Sequence, residues 1–480
     1  MFSLKKIWRR SKAAVAEKQL STSEVAHEQV THKLRGEVKR ILQSAAIGGE
    51  AGVSLIKSLA VPVEDCSPLE WLRSQKTDLK VYWSDRSGLF QSAGIDAADI
   101  IDQTSFAHRD DALRKIKDNL SVSNEGVRYY GGMRFDNTAP VDNDWKPFGK
   151  YFFFVPRFEM YRTSGQTWLV CNLFLQKDKS DPESVLREFN NLSFIRPSNV
   201  PDLPPVTSRT DLPDEARWND IVQAALNSLD RHQYQKIVLA RKAMLEFEGD
   251  LEPLQLMQKL QQEISNSYHF YFQLNPYTAF LGATPERLYH RSGKRIKCDA
   301  VAGTRPRGAN DSEDRKLGEE LLNSAKDRRE HRFVIDSITD ALGDMCDQSV
   351  HAPTDSPTLL KLPRLQHLHT RLEGTLSGEP DDSRIIDVLH PTAAVGGYPR
   401  EGMLDEIQRL ERFDRGWYAA PIGWINKNTA EFAVAIRSAL SLKNHLCLYA
   451  GAGILDGSIA SNEWRETEDK MSNFLRLVGQ

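Results

Sequence analysis

AFLGATPERLYHRSGKRIKCDAVA, residues 279–302, reads as three strands in succession with no helix between them. The apolar run 279–284 is a strand. Residues 287–290 and 295–302 form a hairpin that turns at Ser292-Gly293-Lys294. Upstream, Trp218, Ile221, Val222, Ala225, Leu226 and Leu229 recur as one face of a helix, which leads into a strand at Lys236-Ile237-Val238-Leu239-Ala240. Downstream, one long helix is predicted over 312–342. Asp311 or Ser312 is its cap, and Glu313 and Asp314 lie in its first turn. Strands at 430–438 and 446–450, a glycine turn and a helix from about 462 complete the second half. Prolines 197, 201, 204, 205 and 213 divide the chain, and short strand-like runs at 80–83, 151–155 and 168–171 precede them. Strands joined by hairpins, with helices between groups of strands, predict an α+β fold and not a Rossmann fold.

The 480 residues suffice for one large domain or two medium ones, and no internal repeat is evident. A net charge of -3 argues against wholesale nucleic-acid binding, and no run approaches the ~18 apolar residues of a membrane span. Residues 1–18 are basic, with Leu4, Ile7 and Trp8 at helical spacing but no apolar core behind them. They read as a solvated leading helix and not as a secretory signal. Cys66, Cys171, Cys298, Cys346 and Cys447 are scattered and odd in number, as expected of reduced thiols in a cytoplasmic protein.

Four features carry possible chemistry, each with a bland alternative. Glu463 and Glu466 share a helix face with Lys470 one turn on, which is also how a solvated face looks. With Glu330, they offer the one or two carboxylates that magnesium takes while keeping several waters. Gly451-Ala452-Gly453 lets backbone approach a ligand, or is an ordinary turn, and Gly303-Thr304 is equally open. Lys236 beside Ile, Val and Leu is partly desolvated, which favours a neutral base, or it snorkels from a strand edge. Glu286, after Thr284-Pro285, is an acid kept protonated or a turn residue. These residues alone support a metal-assisted enzyme acting on an anionic ligand.

Read in order, ten strings resemble the chorismate-utilising enzymes, the family of isochorismate, salicylate, anthranilate and aminodeoxychorismate synthases. They are KIVLARK (236–242), FLGATPERL (280–288), AVAGTRPRG (300–308), AKDRREHRFVID (325–336), LQHLHT (365–370), LHPTAAVGGYP (389–399), RGWYAAPIGW (415–424), EFAVAIRSA (431–439), AGAGI (450–454) and EWRETEDK (463–470). In the first half SPLEWL (67–72), GGMRFDN (131–137) and FFFVPRFEM (152–160) resemble the longer, menaquinone-type isochorismate synthases more loosely.

The resemblance implies large antiparallel sheets stacked in a sandwich with helices outside. It divides the chain into a basic extension (1–35), a half that completes the sheets (36–200) and a chorismate-binding catalytic region (214–480). It implies magnesium held by Glu330 and Glu466, with Glu463 on a metal-bound water. The metal and the region of Gly303, Thr304, Gly451 and Lys470 would take the ring carboxylate of chorismate. Arg437 and Tyr418 would hold the enolpyruvyl carboxylate, and His367 would line the pocket. Lys236 matches the base of the water-using members, where anthranilate synthases have glutamine. Ala302 replaces the nucleophilic lysine of aminodeoxychorismate synthases. Ala394 stands where salicylate synthases carry threonine. The implied reaction is isochorismate synthesis: Lys236 deprotonates water attacking C2, and Glu286 protonates the departing C4 hydroxyl. Menaquinone supply is the expected pathway, with siderophore or salicylate supply as the alternative. Salicylate synthesis and a silent chorismate-binding homologue are the competing functions. No amidotransferase subunit or stable membrane insertion is expected, and the protein is expected to be a monomer or homodimer.

Overall fold

Successive side chains of a strand face opposite ways, and here both faces are apolar. On strand Tyr268–Asn275, Phe270 and Phe272 enter one core while Tyr271 enters another. Phe280 on Thr278–Thr284, and Cys447 and Tyr449 on His445–Ile454, share the first core. Leu281, Leu446 and Leu448 share the second. A sheet with two apolar faces must be covered on both. The computed structural model, which describes residues 22–47, 55–64, 66–194, 202–232, 234–348, 350–352, 354 and 356–480, shows how.

Its strands form an antiparallel sandwich. One layer runs Ile56–Val63, Gln166–Phe174, Tyr151–Thr163, Phe90–Asp102, Lys80–Ser84, Tyr268–Asn275, Thr278–Thr284, Ser438–Leu442, His445–Ile454, Lys236–Phe247 and Val206–Leu212. The other leaves Tyr151–Thr163 and continues through Tyr129–Met133, Pro421–Ile425, Thr429–Val434, Arg287–Ser292, Arg295–Pro306, Leu365–Thr375 and Thr358–Lys361. Phe153, Ile422 and Phe432 of this layer join Phe272 and Phe280 in the inner core. Helices Thr22–Ile47, Pro253–Glu263 and Ala460–Leu477 cover the outer face of the first layer with Leu34, Val38, Met257, Leu260, Met471 and Phe474. Each such side chain contributes roughly 1.5–3 kcal/mol when removed from water. Strands from before and after the proline-rich segment pair directly, Val81 opposite Phe272 and Tyr130 opposite Trp424.

Two neighbouring connections carry the chain from one layer to the other. Thr284-Pro285-Glu286 joins Thr278–Thr284 to Arg287–Ser292, and residues 435–437 join Thr429–Val434 to Ser438–Leu442. Hydrogen bonds lock these corners together: Thr284 Oγ1 donates to Val434 O at 2.7 Å, Val434 N to Glu286 O at 3.1 Å, and Ala283 N to Arg437 O at 3.1 Å.

Three expectations change. The predicted helix over 312–342 is two helices, Asp311–Asn323 and Ala325–Gly343, capped by Asn310 and Ser324. The Ser324 side chain accepts from Asp327 N, so it stops one helix and starts the next. The strand at 430–438 breaks at the corner just described. The glycine turn is not a turn: Gly451 and Gly453 lie within strand His445–Ile454, opposite Ala240 and Val238. The basic segment 1–18 lies outside the described residues. Helix Thr22–Ile47 runs through residue 35 and buries Leu34.

Candidate active site

The layer-changing corners open into a cleft. Of the residues singled out from the sequence, Lys236, Glu286, Gly303, Thr304, Glu330, His367, Ala394, Tyr418, Arg437, Gly451, Glu466 and Lys470 line it, as does Ala302. Glu463 does not. It is buried behind, with Lys326 Nζ at 3.3 Å from its Oε1.

Lys236 begins its strand and is only 1% exposed, with Nζ 3.0 Å from Glu330 Oε1. The pair is packed against backbone, because a Cβ on Gly453 would lie 2.7 Å from Glu330 Oε1 and 2.8 Å from Lys236 Cε. A glycine in this strand thus makes room for the pair. Glu286, at the corner, is buried with Oε1 unpartnered. Burial pushes its carboxyl up to about 8. The Lys236 charge opposes that and the Asp299 charge adds to it, so the acid holds its proton at neutral pH.

Arg437 sits in the left-handed region, at φ 52°, on the other corner. This conformation costs a non-glycine residue energy and recurs where a side chain must be aimed. Burial lowers the guanidinium to about 10, and its Nη1 is buried without a partner. Its Nη2 lies 3.3 Å from His367 Nε2. Arginine can only donate, so Nε2 accepts, and Nδ1 carries the proton toward Gly303 O at 3.1 Å. Burial, then the Arg437 charge, pushes His367 down to about 3 and keeps it neutral. Burial raises the Tyr418 hydroxyl above its ordinary range, so it remains a donor.

Among the described residues, no three His, Cys, Asp or Glu side chains stand gathered as metal ligands. The carboxylates are matched by lysines: Glu330 by Lys236, and Glu466 by Lys470, whose Nζ donates at 2.5 Å and also reaches Gly451 O at 2.9 Å. Burial pushes Glu466 up, but Lys470, with Lys326 and Arg437, outweighs it and holds the carboxylate below its usual range. Burial and then the Glu466 charge push Glu463 up. Carboxylate oxygens suit a hard divalent cation that retains water, so Glu330 and Glu466, both lining the cleft, are donors of the kind magnesium takes.

Residues 41–479 match the family model described as chorismate binding enzyme. The chain belongs to that family. It is 31% identical over 463 residues to the isochorismate synthase MenF of Bacillus subtilis, covering 92% of this chain and 97% of that protein. It is 34% identical over 458 residues to a chloroplastic isochorismate synthase 2 of Arabidopsis thaliana, covering 88% and 80%. The structure of MenF, the menaquinone-specific isochorismate synthase from Escherichia coli, superposes with a TM-score of 0.80 at 29% identity, covering 92% of this chain and 99% of that one.

Within this family fold, sequence reasoning passed over Arg415 and Ala419, which also line the cleft. Arg415 is paired with Glu411 and donates to Val395 O and Val238 O, both at 2.8 Å. It fastens the segment containing Ala394 to the strand of Lys236. Its string, RGWYAAPIGW, was the available signal. Ala419 lies in the same string, but nothing in it foretold the left-handed backbone at φ 61°.

Proposed function

We propose that the protein is an isochorismate synthase, converting chorismate to isochorismate by adding water at C2 and expelling the C4 hydroxyl. The observation that carries this is a buried carboxyl, Glu286, kept protonated at neutral pH with one oxygen unsatisfied, in the same cleft as buried Lys236. Glu286 is equipped to give a proton, and Lys236, ion-paired with Glu330 here, to take one once its amine is neutral, as a hydroxyl relocation requires.

Arg437, with its free Nη1, and Tyr418 take the enolpyruvyl carboxylate. Fixing both ends of a dianion orients the ring before chemistry. Glu330 and Glu466 would hold magnesium, with Glu463, behind the cleft lining, acting on it through water. Bound there, magnesium would supply positive charge for the ring carboxylate, and Lys236 would give up Glu330 to it. Gly303, Thr304, Gly451 and Lys470 border the same end. Lys236 receives the proton of the attacking water, the ring double bonds shift, and Glu286 delivers its proton to the departing hydroxyl. Water enters and water leaves, so the reaction balances and is reversible. Ala302 offers no amine nucleophile, and the Ala394 methyl leaves out a hydroxyl at the position linked to pyruvate elimination.

Isochorismate for menaquinone is the pathway we favour, on the length of the first half and its looser strings. The five free cysteines support a reducing, cytoplasmic setting. Among the described residues, no helix is long and apolar enough to cross a membrane. We read the protein as a monomer or homodimer without an amidotransferase subunit, residues 36–200 completing the sheets around the catalytic region 214–480.

Incubation of the full chain with chorismate, with and without magnesium, tests the function by chromatography. Isochorismate formed only with the metal is expected. Salicylate with pyruvate would replace the proposal by elimination chemistry, and binding without turnover would mark a silent homologue.

A further inference from the structure

The turn that carries Glu286 is held from the first half of the chain. Arg86 lies between strands Lys80–Ser84 and Phe90–Asp102, 199 residues before Pro285. Its Nη2 donates to Pro285 O at 2.5 Å and to Asp299 Oδ2 at 2.5 Å. Pro285 immediately precedes the acid. Asp299 lies on strand Arg295–Pro306, which goes on to supply Ala302 and Gly303 to the cleft. A single guanidinium therefore joins the two segments that flank Glu286. Tyr268 supports it, with Arg86 Cζ 5.2 Å from the ring centroid.

The Asp299 side chain is fully buried, and a buried carboxylate requires cations and donors around it. Arg86 is the nearest, Arg287 stands 3.9 Å away, and His369 Nε2 lies at 3.2 Å. A pair serving stability alone could be satisfied anywhere on the sheet. This one spends a donor on the carbonyl next to the acid.

We propose that Arg86 and Asp299 are a positioning pair for the acid, Arg86 drawing the Pro285 carbonyl and the Asp299 carboxylate together and so fixing where the Glu286 carboxyl points. Neither touches the substrate, and the role presupposes Glu286 as the proton donor proposed above. Asp299 also acts through charge. The groups facing Glu286 are Lys236, Lys470 and Arg437, which disfavour its proton, Asp299, which favours it, and the neutral hydroxyl of Tyr418.

Steady-state kinetics of the full chain with chorismate and magnesium, from pH 6 to about 9.5, test the pair. Arg86→Ala should lower kcat about tenfold or more with KM nearly unchanged, because Arg437 and Lys470 are untouched. Added guanidinium should restore part of the loss, since the vacated site is 18% open to solvent in the native side chain. Arg86→Lys, which keeps the charge on a less suitable donor, should fall between the two. Asp299→Asn should move the alkaline limb of kcat to lower pH. Wild-type kcat and pH profile in Arg86→Ala, whatever its melting temperature, would overturn the proposal, as would a raised KM at constant kcat. If Arg86→Ala does not fold, Arg86→Lys and Asp299→Asn decide: wild-type kcat in the first and an unmoved alkaline limb in the second refute the pair. Wild-type turnover in Glu286→Gln would instead remove the acid itself, a separate failure.

Discussion

Replacing Glu286 by glutamine should stabilise the protein while nearly abolishing turnover, and pH should set the size of the first effect. The native carboxyl is buried with Oε1 unpartnered and titrates near 8 instead of the usual 4.5. Between those values the folded chain holds a proton that the unfolded chain has released. Stability from this group is therefore fully present below about 4.5, falls as pH rises, and is wholly lost above about 8. At about 1.4 kcal/mol per pH unit, the loss at pH 7 is about 3 kcal/mol. Glutamine has the same shape and no proton to take up, so it escapes that loss. Urea unfolding midpoints of both proteins between pH 5 and about 9 are the assay. The variant should gain on the wild type as pH rises and hold a constant lead above about 8, while turnover falls by ~10² or more. A stability difference that does not move with pH would refute the reasoning, whatever happened to activity.

Lys236→Ala should fold and lose turnover by ~10² or more, and near-wild-type rates would remove it as the base. Gly453→Ala should separate Lys236 from Glu330, since the new methyl would lie 2.7 Å from the carboxylate. A roughly tenfold or larger fall in kcat with an unchanged circular dichroism spectrum is expected, and full activity would show the contact to be slack. Glu330→Gln should shift the magnesium dependence of activity to higher concentration and weaken magnesium binding by calorimetry. An identical titration would exclude it as a ligand.

Much of this was legible in the residues, for identifiable reasons. The hairpin Arg287–Ser292/Arg295–Pro306 and the helix Glu215–His232 announce themselves by local periodicity and turn chemistry. The break at Ser324 was also local, a serine followed three residues later by an aspartate, but no glycine or proline marks it. Gly451 and Gly453 misled because glycine ordinarily marks a turn. Here the reason for glycine lies in groups remote in the chain, Glu330 and Lys236 against Gly453, and Leu239 O with the Tyr418 hydroxyl against Gly451, which no nearby residue betrays. The corners were hidden too. Arg437 and Ala419 adopt left-handed backbone that their side chains normally avoid, so tertiary context alone imposes it. Arg86 was invisible because its role depends on a partner far along the chain.

Strand Lys236–Phe247 is paired along both edges only when His445–Ile454 arrives beside it, and Tyr268–Asn275 only when Lys80–Ser84 does. Closing such long spans costs entropy before any contact repays it, and the cleft is complete only once residues from 236 to 470 are in place. A partly assembled molecule therefore carries no weakened version of the site. In the finished molecule, a dianion held at both ends as proposed would tie together segments that are remote in the chain, each tenfold excess over its Kd adding about 1.4 kcal/mol against their parting.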